Sequence, residues 1–529
     1  MSNQACMPGR DQTEVIAFLA NPASYRGVER VDRFETHGNL VFLAGSEAWK
    51  IKRAVRFPYM DFSTLEKRRA ACLREVEINR GFSDDLYLGC VPITRSSAGA
   101  LAIAGHGEVV EWAVHMRRFE QSALLSNLAK EGRITDDLAK RLADVVHDCH
   151  ARAERRAPSS GTAHIRRLID SVCGSLLSSD ALDQEEVADL ARRLDDQIDK
   201  AAPVLDERAS RGFVRRCHGD LHLANVVLWH GSPVLYDAIE FDEAIATIDT
   251  LYDLAFLLMD LDWHGQRHAA NVVLNRYLWR SQDDLDLEGL AALPLFMALR
   301  AGIRAMVAVD RADQENSEAR KRDLDRARRY VRAALGYASQ PAPQLIAIGG
   351  LSGTGKTTLG TALAPLIGGA PGAVHLRSDL ERKAAAGVGE LDRLPASAYA
   401  KEARLRIYQR LREKARMVLA AGRSVVVDAV FAGEGERRDI EAAAAGLDIP
   451  FHGLWLEADP ETLVARVTAR RNDASDATPD TVAAQLGTEV GPMSPAWIAI
   501  DAGGTGSETL RLAASRLRLA ATQAPGAVP

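Results

Sequence analysis

The sequence predicts two domains of different class. An α+β domain spans residues 1–340 and an α/β domain spans 341–529. Three observations predict this. A chain of 529 residues exceeds what one hydrophobic core serves. Before residue 340, a hairpin, a helix and short strands give way to long helical patterns. Past residue 344, apolar strands alternate with helices, which is the pattern of a parallel sheet covered by helices.

The elements follow in order. Residues 38–52 (GNLVFLAGSEAWKIK) read as a β-hairpin whose apolar runs are broken by a Gly-Ser turn. Residues 64–80 read as an amphipathic helix with a Ser/Thr start. Strand-like pieces follow at 91–94, 101–104 and 109–116, then helical pattern through about 210. The stretch CHGDLHLAN (217–225) reads as a loop before a strand (VVLW), a turn (HGSP) and a returning strand (VLYDAIEF). Helices resume from Asp249 to about Gly336, and the charge-rich helix 311–332 mixes both signs, as a solvated face does. YASQPAPQ (337–344) reads as a linker. LIAIGG, SVVVDAVF and FHGLWLEA are three buried strands, and the tail ATQAPGAVP reads as disordered.

Composition excludes several classes. A net charge of -6 supplies no field that draws the chain onto nucleic acid or an anionic membrane. The six cysteines (6, 72, 90, 149, 173, 217) include no CxxC pair, so neither a zinc site nor a disulfide framework is expected. The polar N-terminus lacks the pattern of a signal peptide, and the greasiest run, 254–259, is too short to cross a bilayer. A cytoplasmic protein is the expectation.

The C-terminal part carries GLSGTGKT, Gly350 to Thr357, between a strand and a helix. Its glycines let backbone amides close around phosphate oxygens. Gly350, Ser352, Gly353, Thr354, Gly355, Lys356, Thr357 and Thr358 are the expected nucleotide contacts. Lys356 would reach the β- and γ-phosphates, and the Thr357 hydroxyl would ligate Mg²⁺. Asp428 ends a strand where an acid can hold the metal's water shell. Asp379, at a strand's C-terminal end in HLRSDLERK, faces the ligand crevice of such sheets and could take a proton from a hydroxyl; it reads equally as a helix cap. Arg466 and Arg470, with Arg471, could clamp a transferring phosphate. Together, the P-loop, RSDLERK, VVVDAVF and the arginine-rich segment resemble the small P-loop kinases, including gluconate-kinase-like and zeta-toxin-like enzymes, over most of residues 344–500.

In the N-terminal part, His218 and His222 are four apart, but Gly219 and the strand that follows argue against a helical metal site. The spacing His218-x-Asp220-x-x-x-x-Asn225 suits phosphoryl transfer instead, with an acid to orient a hydroxyl and oxygen ligands for Mg²⁺. A returning strand should bring a metal acid, and it offers Asp237 and Glu240; Asp237 is preferred, with Glu240 left open. The segment from CHGDLHLAN to YDLAFLLMDL resembles the catalytic core of aminoglycoside phosphotransferases and their choline-kinase-like relatives. That resemblance implies a bilobal protein-kinase-like fold, with an N-lobe at about 30–118 and a C-lobe at about 119–336. It implies Asp220 as catalytic base, Asn225 as metal ligand, His218 as a loop brace and Asp253 as a structural tie.

A kinase-like N-lobe needs a strand lysine paired with a helix glutamate. AWKIKR offers Lys50 and Lys52, and the next helix offers Glu75 and Glu77; Lys52 with Glu75 is preferred. The sequence departs from the protein-kinase pattern in having no G-x-G-x-x-G loop.

The expected activity is bifunctional, ATP- and Mg²⁺-dependent phosphotransfer. The N-terminal domain would phosphorylate a small-molecule hydroxyl. The P-loop domain would hydrolyse ATP or serve a second acceptor. The alternatives are an ATP-sensing regulatory protein with one silent domain, or a toxin-like sugar-nucleotide kinase acting through the P-loop domain.

Overall fold

The structure, a computed structural model, describes residues 11–36, 38–57, 60–157, 160–313 and 317–519. The N-terminal ten residues and the tail read above as disordered lie outside them, as does Cys6. The chain forms two compact units. One holds residues up to 134 together with 148–156 and 214–253; the other holds 135–147, 157–213 and everything from 254.

The first unit is built on a six-stranded antiparallel sheet. Its strands run in the order Val31–Glu35, Asn39–Ala44, Glu47–Lys52, Glu108–Arg117, Tyr87–Arg95, Leu101–Ile103. The period of two along each strand separates two faces. Leu40, Phe42, Trp49 and Ile51 pack with Val15 and Leu19 of helix Thr13–Ala20. Leu43, Ala48, Val114 and Met116 pack with Cys72 and Val76 of helix Leu65–Ser83. The same alternation sends Lys50 and Lys52 toward that second helix. Thr64 caps the helix by accepting from the Lys67 amide, as its Ser/Thr start predicts.

The hairpin Val226–Trp229 with Ser232–Leu235 forms around His230 and Gly231, both at positive φ. That is the turn whose twist matches paired strands. One expectation is corrected here. The returning strand ends at Leu235 and does not continue through Phe241, because Asp237 takes φ +60 and breaks the extended chain.

In the second unit, helices Gly161–Leu177, Gln184–Ser210, Leu293–Ala312 and Ser317–Ala338 pack together. Residues 284–312 are long and apolar enough to cross a membrane by composition, but an apolar stretch of 18 residues within them is 78% buried in the protein. The last helix runs two residues into the expected linker. Tyr337 and Ala338 are buried there, and the Tyr337 hydroxyl donates to Asp262 at 2.8 Å. A five-stranded parallel sheet follows, in the order Val374–Arg377, Val425–Asp428, Leu345–Gly350, Phe451–Glu457, Trp497–Asp501. The three central strands are those read from their apolar runs. The edge strand before Asp379 ends at Arg377, close to where it was read, whereas the other edge strand, Trp497–Asp501, escaped notice because it is only half covered and lacks a continuous apolar run.

Candidate active sites

The first site lies wholly in the first unit. Lys50 Nζ donates to Glu75 Oε1 at 2.8 Å and to Asp237 Oδ1 at 2.5 Å. Lys52 Nζ lies 2.6 Å from Glu75 Oε2 and also bonds Glu240. Both lysines therefore meet Glu75, whereas Glu77 sits outside, paired with Arg74. Two ammonium groups face three carboxylates, which leaves one negative charge over.

Burial alone would raise Glu75, but the two ammonium groups outweigh it and hold its pKa at about 2. Burial also opposes the charge on Lys50, yet Asp237 and Glu75 keep it well above the usual lysine value. For Glu240, burial prevails over Lys52 and raises its pKa, so Glu240 is the member most ready to hold a proton. Lys52 and Glu240 are almost fully closed off, while the Asp237 side chain is 40% exposed and reaches the open side.

The loop 217–225 is braced from below. Asp253 is buried and accepts the His218 amide at 3.1 Å and the Gly219 amide at 3.0 Å; it also meets His150 Nε2 at 3.1 Å. His150, Cys217 and Asp253 have ligand-type atoms close together, but Asp253 is already engaged by these donors. Gly219 sits at φ +84, where a Cβ would press on Ala246 Cα at 3.3 Å. His218 Nε2 donates to the Tyr236 carbonyl at 2.9 Å and Nδ1 accepts from the Asp220 amide at 3.4 Å, which together fit the neutral Nε2–H tautomer. Burial lowers the His218 pKa in agreement.

Asn225 Nδ2 donates to Asp220 Oδ2 at 3.0 Å and to the Asp220 carbonyl at 2.9 Å, which turns its Oδ1 away from the aspartate. His222 Nδ1 accepts from the Ala224 amide, so its Nε2–H is directed to Asp220 Oδ2, 3.3 Å away. Sequence reasoning considered His222 only as a metal ligand and missed this role. The Asn225 carbonyl accepts from Tyr236 N at 3.0 Å, tying the loop to the segment that carries Asp237.

Asp253→Ala is expected to lower the stability of this unit by about 3 kcal/mol, since two buried amides lose their acceptor. Urea unfolding followed by tryptophan fluorescence measures it. An unchanged midpoint would remove Asp253 from the structural role.

The second site lies in the second unit. Gly350, Gly353 and Gly355 all have positive φ. A Cβ at Gly353 would meet the Leu463 carbonyl at 2.6 Å, so this turn needs glycine. Lys356 Nζ curls back to donate to the Leu351 carbonyl at 2.9 Å. The Ser352 amide donates to Gln485 Oε1 at 2.8 Å, a contact that no local signal announced. Asp428 is buried and meets His375 Nε2 at 2.9 Å. Burial would raise Asp428, but His375, Arg377 and Lys356 together lower it.

Asp379 is not the helix cap that its alternative reading suggested. Arg377 occupies that position, and Asp379 stands in the first turn, bonded by Arg382 Nη1 at 3.0 Å. Arg466 gives its guanidinium to the carbonyls of Ala502 and Gly504, at 2.7 and 2.6 Å. Arg470 lies 3.5 Å from Asp473. A cleft of about 930 Å³ brings the P-loop, Asp379, Arg382, Asp428, Arg466 and Arg470 to one surface.

Lys356 is partly exposed as a whole, but its ammonium points inward, and desolvation lowers its pKa to about 8 despite Asp428 and Asp379. Phosphates favour the ammonium form, so nucleotide binding should take up a proton near pH 8 and weaken as pH rises above it. Calorimetry in two buffers of different ionisation heat measures that uptake; none at pH 8 would refute it. The folded pKa lies below the unfolded one. The same group therefore adds stability as pH rises from about 8 toward the ordinary lysine value of about 10.4.

Residues 345–489 match the family model described as an AAA domain. Uncharacterized proteins of Mycobacterium tuberculosis and Mycobacterium bovis are 29% identical over 469 residues, covering 86% of this chain and 89% of theirs. A gluconokinase structure from Sinorhizobium meliloti is 23% identical and covers 33% of this chain and 93% of its own, with a TM-score of 0.25. The GDP complex of aminoglycoside 2'-phosphotransferase-IIIa is 14% identical and covers 61% of this chain and 99% of its own, with a TM-score of 0.38. A choline/ethanolamine kinase family protein from Mesorhizobium loti is 15% identical and covers 61% and 98%, with a TM-score of 0.36.

Proposed function

We propose that the chain is an ATP-dependent phosphotransferase with two nucleotide sites, its two chemistries dividing near residue 340. The N-terminal site transfers the γ-phosphate to a hydroxyl of a small molecule. The observation that carries this reading is Lys50, which joins Glu75 to Asp237 beside the Asp220–Asn225 loop. Phosphoryl transfer depends chiefly on positioning and charge neutralisation, and these residues supply both.

Asp220 is held by His222 and Asn225, so its carboxylate is oriented before an acceptor arrives. It takes the proton of the attacking hydroxyl. Lys50 engages the nucleotide phosphates, and Lys52 with Glu240 forms the buried base beneath it. This assigns Lys50 the role first given to Lys52, because only Lys50 reaches the exposed acid. Asn225 and Asp237 offer oxygen donors of the kind Mg²⁺ takes, and the Asp237 side chain is 40% exposed. When bound, the ion neutralises phosphate charge.

The P-loop site hydrolyses ATP or phosphorylates a second acceptor. Thr357 and Asp428 suit Mg²⁺ in the same way, Asp379 is placed to receive a hydroxyl proton, and Arg470 with Arg382 offers charge to the transferred group. The acceptors are metabolites; nucleic acid and membrane are not partners, and the compartment is the cytoplasm. Transfer of label from γ-labelled ATP across a pool of hydroxyl-bearing metabolites tests this reading. Absence of any labelled product, with ATP still bound, would leave a regulatory ATP sensor in its place.

A further inference from the structure

The strand Val374–Arg377 stands at the edge of the parallel sheet, where it pairs with Val425–Asp428. The Val374 amide donates into the sheet, to the Ser424 carbonyl at 3.0 Å, so the Ala373 carbonyl and the His375 amide face outward. An edge strand ordinarily leaves such groups to water. Here helix Arg267–Ser281 covers them; it precedes residue 340 yet lies in the same compact unit as the P-loop. Asn275 Oδ1 accepts the His375 amide at 2.6 Å, and Asn275 Nδ2 donates to the Ala373 carbonyl at 3.3 Å. One residue of a neighbouring parallel strand would make the same two bonds through its backbone. The Asn275 carboxamide thus stands in for a further strand at this one position. Asn271 reinforces it, donating to the same Ala373 carbonyl at 3.0 Å.

The position matters because of what His375 carries. Its ring is 5% exposed, and its Nε2 meets Asp428 Oδ2 on the neighbouring strand at 2.9 Å. An ionised aspartate only accepts, so Nε2 carries the proton. The ring is also confined by the helix that follows the P-loop: a Cβ on Gly360 would lie 2.3 Å from His375 Nε2. A carboxylate held through one oxygen cannot swing freely, and Asp428 lines the nucleotide cleft with Lys356 and Thr357. Asn275 therefore fixes the His375 backbone, the backbone fixes the imidazole, and the imidazole fixes Asp428.

We propose that Asn275 and His375 are positioning residues for the P-loop site, holding Asp428 in the place from which it serves Mg²⁺ of a bound nucleotide, so that a helix preceding residue 340 completes the C-terminal site. This rests on the reading of the P-loop as a nucleotide site with Asp428 as its metal acid. A side chain that orients a metal acid from behind is commonly worth about 10–100-fold in metal affinity or activity.

The test is calorimetric titration of the full chain with a non-hydrolysable ATP analogue, once with Mg²⁺ and once with EDTA. The binding that Lys356→Ala removes defines the P-loop component. In that component Mg²⁺ should tighten wild-type binding. Asn275→Ala should lose about tenfold of that gain while its affinity in EDTA stays at the wild-type value. His375→Leu should lose the gain as well. His375→Gln, whose side-chain amide can donate close to where Nε2 does, should restore most of it. The two His375 variants decide by themselves if Asn275→Ala does not fold. Asp428→Asn should abolish the gain, and adding Asn275→Ala to it should change nothing more, as expected of residues that act in series. A merely structural role would weaken binding equally with and without Mg²⁺, resist rescue by glutamine and add to Asp428→Asn. Any of these results, or a full Mg²⁺ gain in Asn275→Ala, would overturn the proposal. Failure of the underlying reading looks different: Lys356→Ala would remove no binding, or Asp428→Asn would keep the Mg²⁺ gain, and the proposal would fall with it.

Discussion

Asp220→Ala is expected to lower turnover of the hydroxyl acceptor by about 10²–10⁴-fold, the usual worth of a positioned general base. Nucleotide affinity should change little, because the nucleotide contacts assigned to this unit lie on Lys50, Asn225 and Asp237. The variant should fold: the Asp220 side chain is 39% exposed and supports no core. Asp220→Asn is the sharper control. It keeps the hydrogen bonds from His222 and Asn225 in shape but cannot take the proton, so it should be nearly as inactive as the alanine variant. Activity in the asparagine variant close to wild type would mean that Asp220 only positions the acceptor.

The lysine pair separates in the same assay. Lys50→Met should weaken nucleotide binding while the fold holds, since Glu75 keeps Lys52. Lys52→Met should instead destabilise the unit by about 3–5 kcal/mol, because Glu75 and Glu240 lose a fully buried partner.

Lys356→Ala is expected to remove nucleotide turnover at the P-loop by about 10²–10³-fold, the cost of deleting one charged donor aimed at a developing phosphate charge. Binding stoichiometry makes the result independent of any acceptor. Wild type should bind two molecules of a fluorescent ATP analogue per chain, and Lys356→Ala one. Asp220→Ala should still bind two. Product that depends on Asp220 should persist in Lys356→Ala if the sites work separately. Loss of that product as well would show that the P-loop site governs the N-terminal one. A stoichiometry of one in wild type would refute the two-site reading.

Much of this was legible along the chain. The P-loop shows in sequence because its chemistry is local: glycines at positive φ and a lysine sit within eight consecutive residues, Gly350 to Thr357. The loop 217–225 is likewise contiguous, so Asp220 and Asn225 could be picked out by spacing. The hairpin 38–52 and the helix capped by Thr64 follow from periodicity and turn chemistry, which also act over a few residues. The edge strand Trp497–Asp501, the early end of the strand before Asp237, and the contact of His222 with Asp220 did not show. Each depends on what lies alongside in space.

What the sequence by itself determined is the backbone's local grammar and the two contiguous loops, 217–225 and 350–357, to which we assign phosphate handling. What only the tertiary structure decided is the choice of partners. Lys50 finds Glu75 at 25 residues' distance and Asp237 at 187, and Lys52 finds Glu240 at 188. Two lysines on one face of a strand are equivalent to any local rule. They become different only when packing closes one of them off and leaves the other facing an exposed acid, because the cost of burying charge depends on the surroundings rather than on the residue.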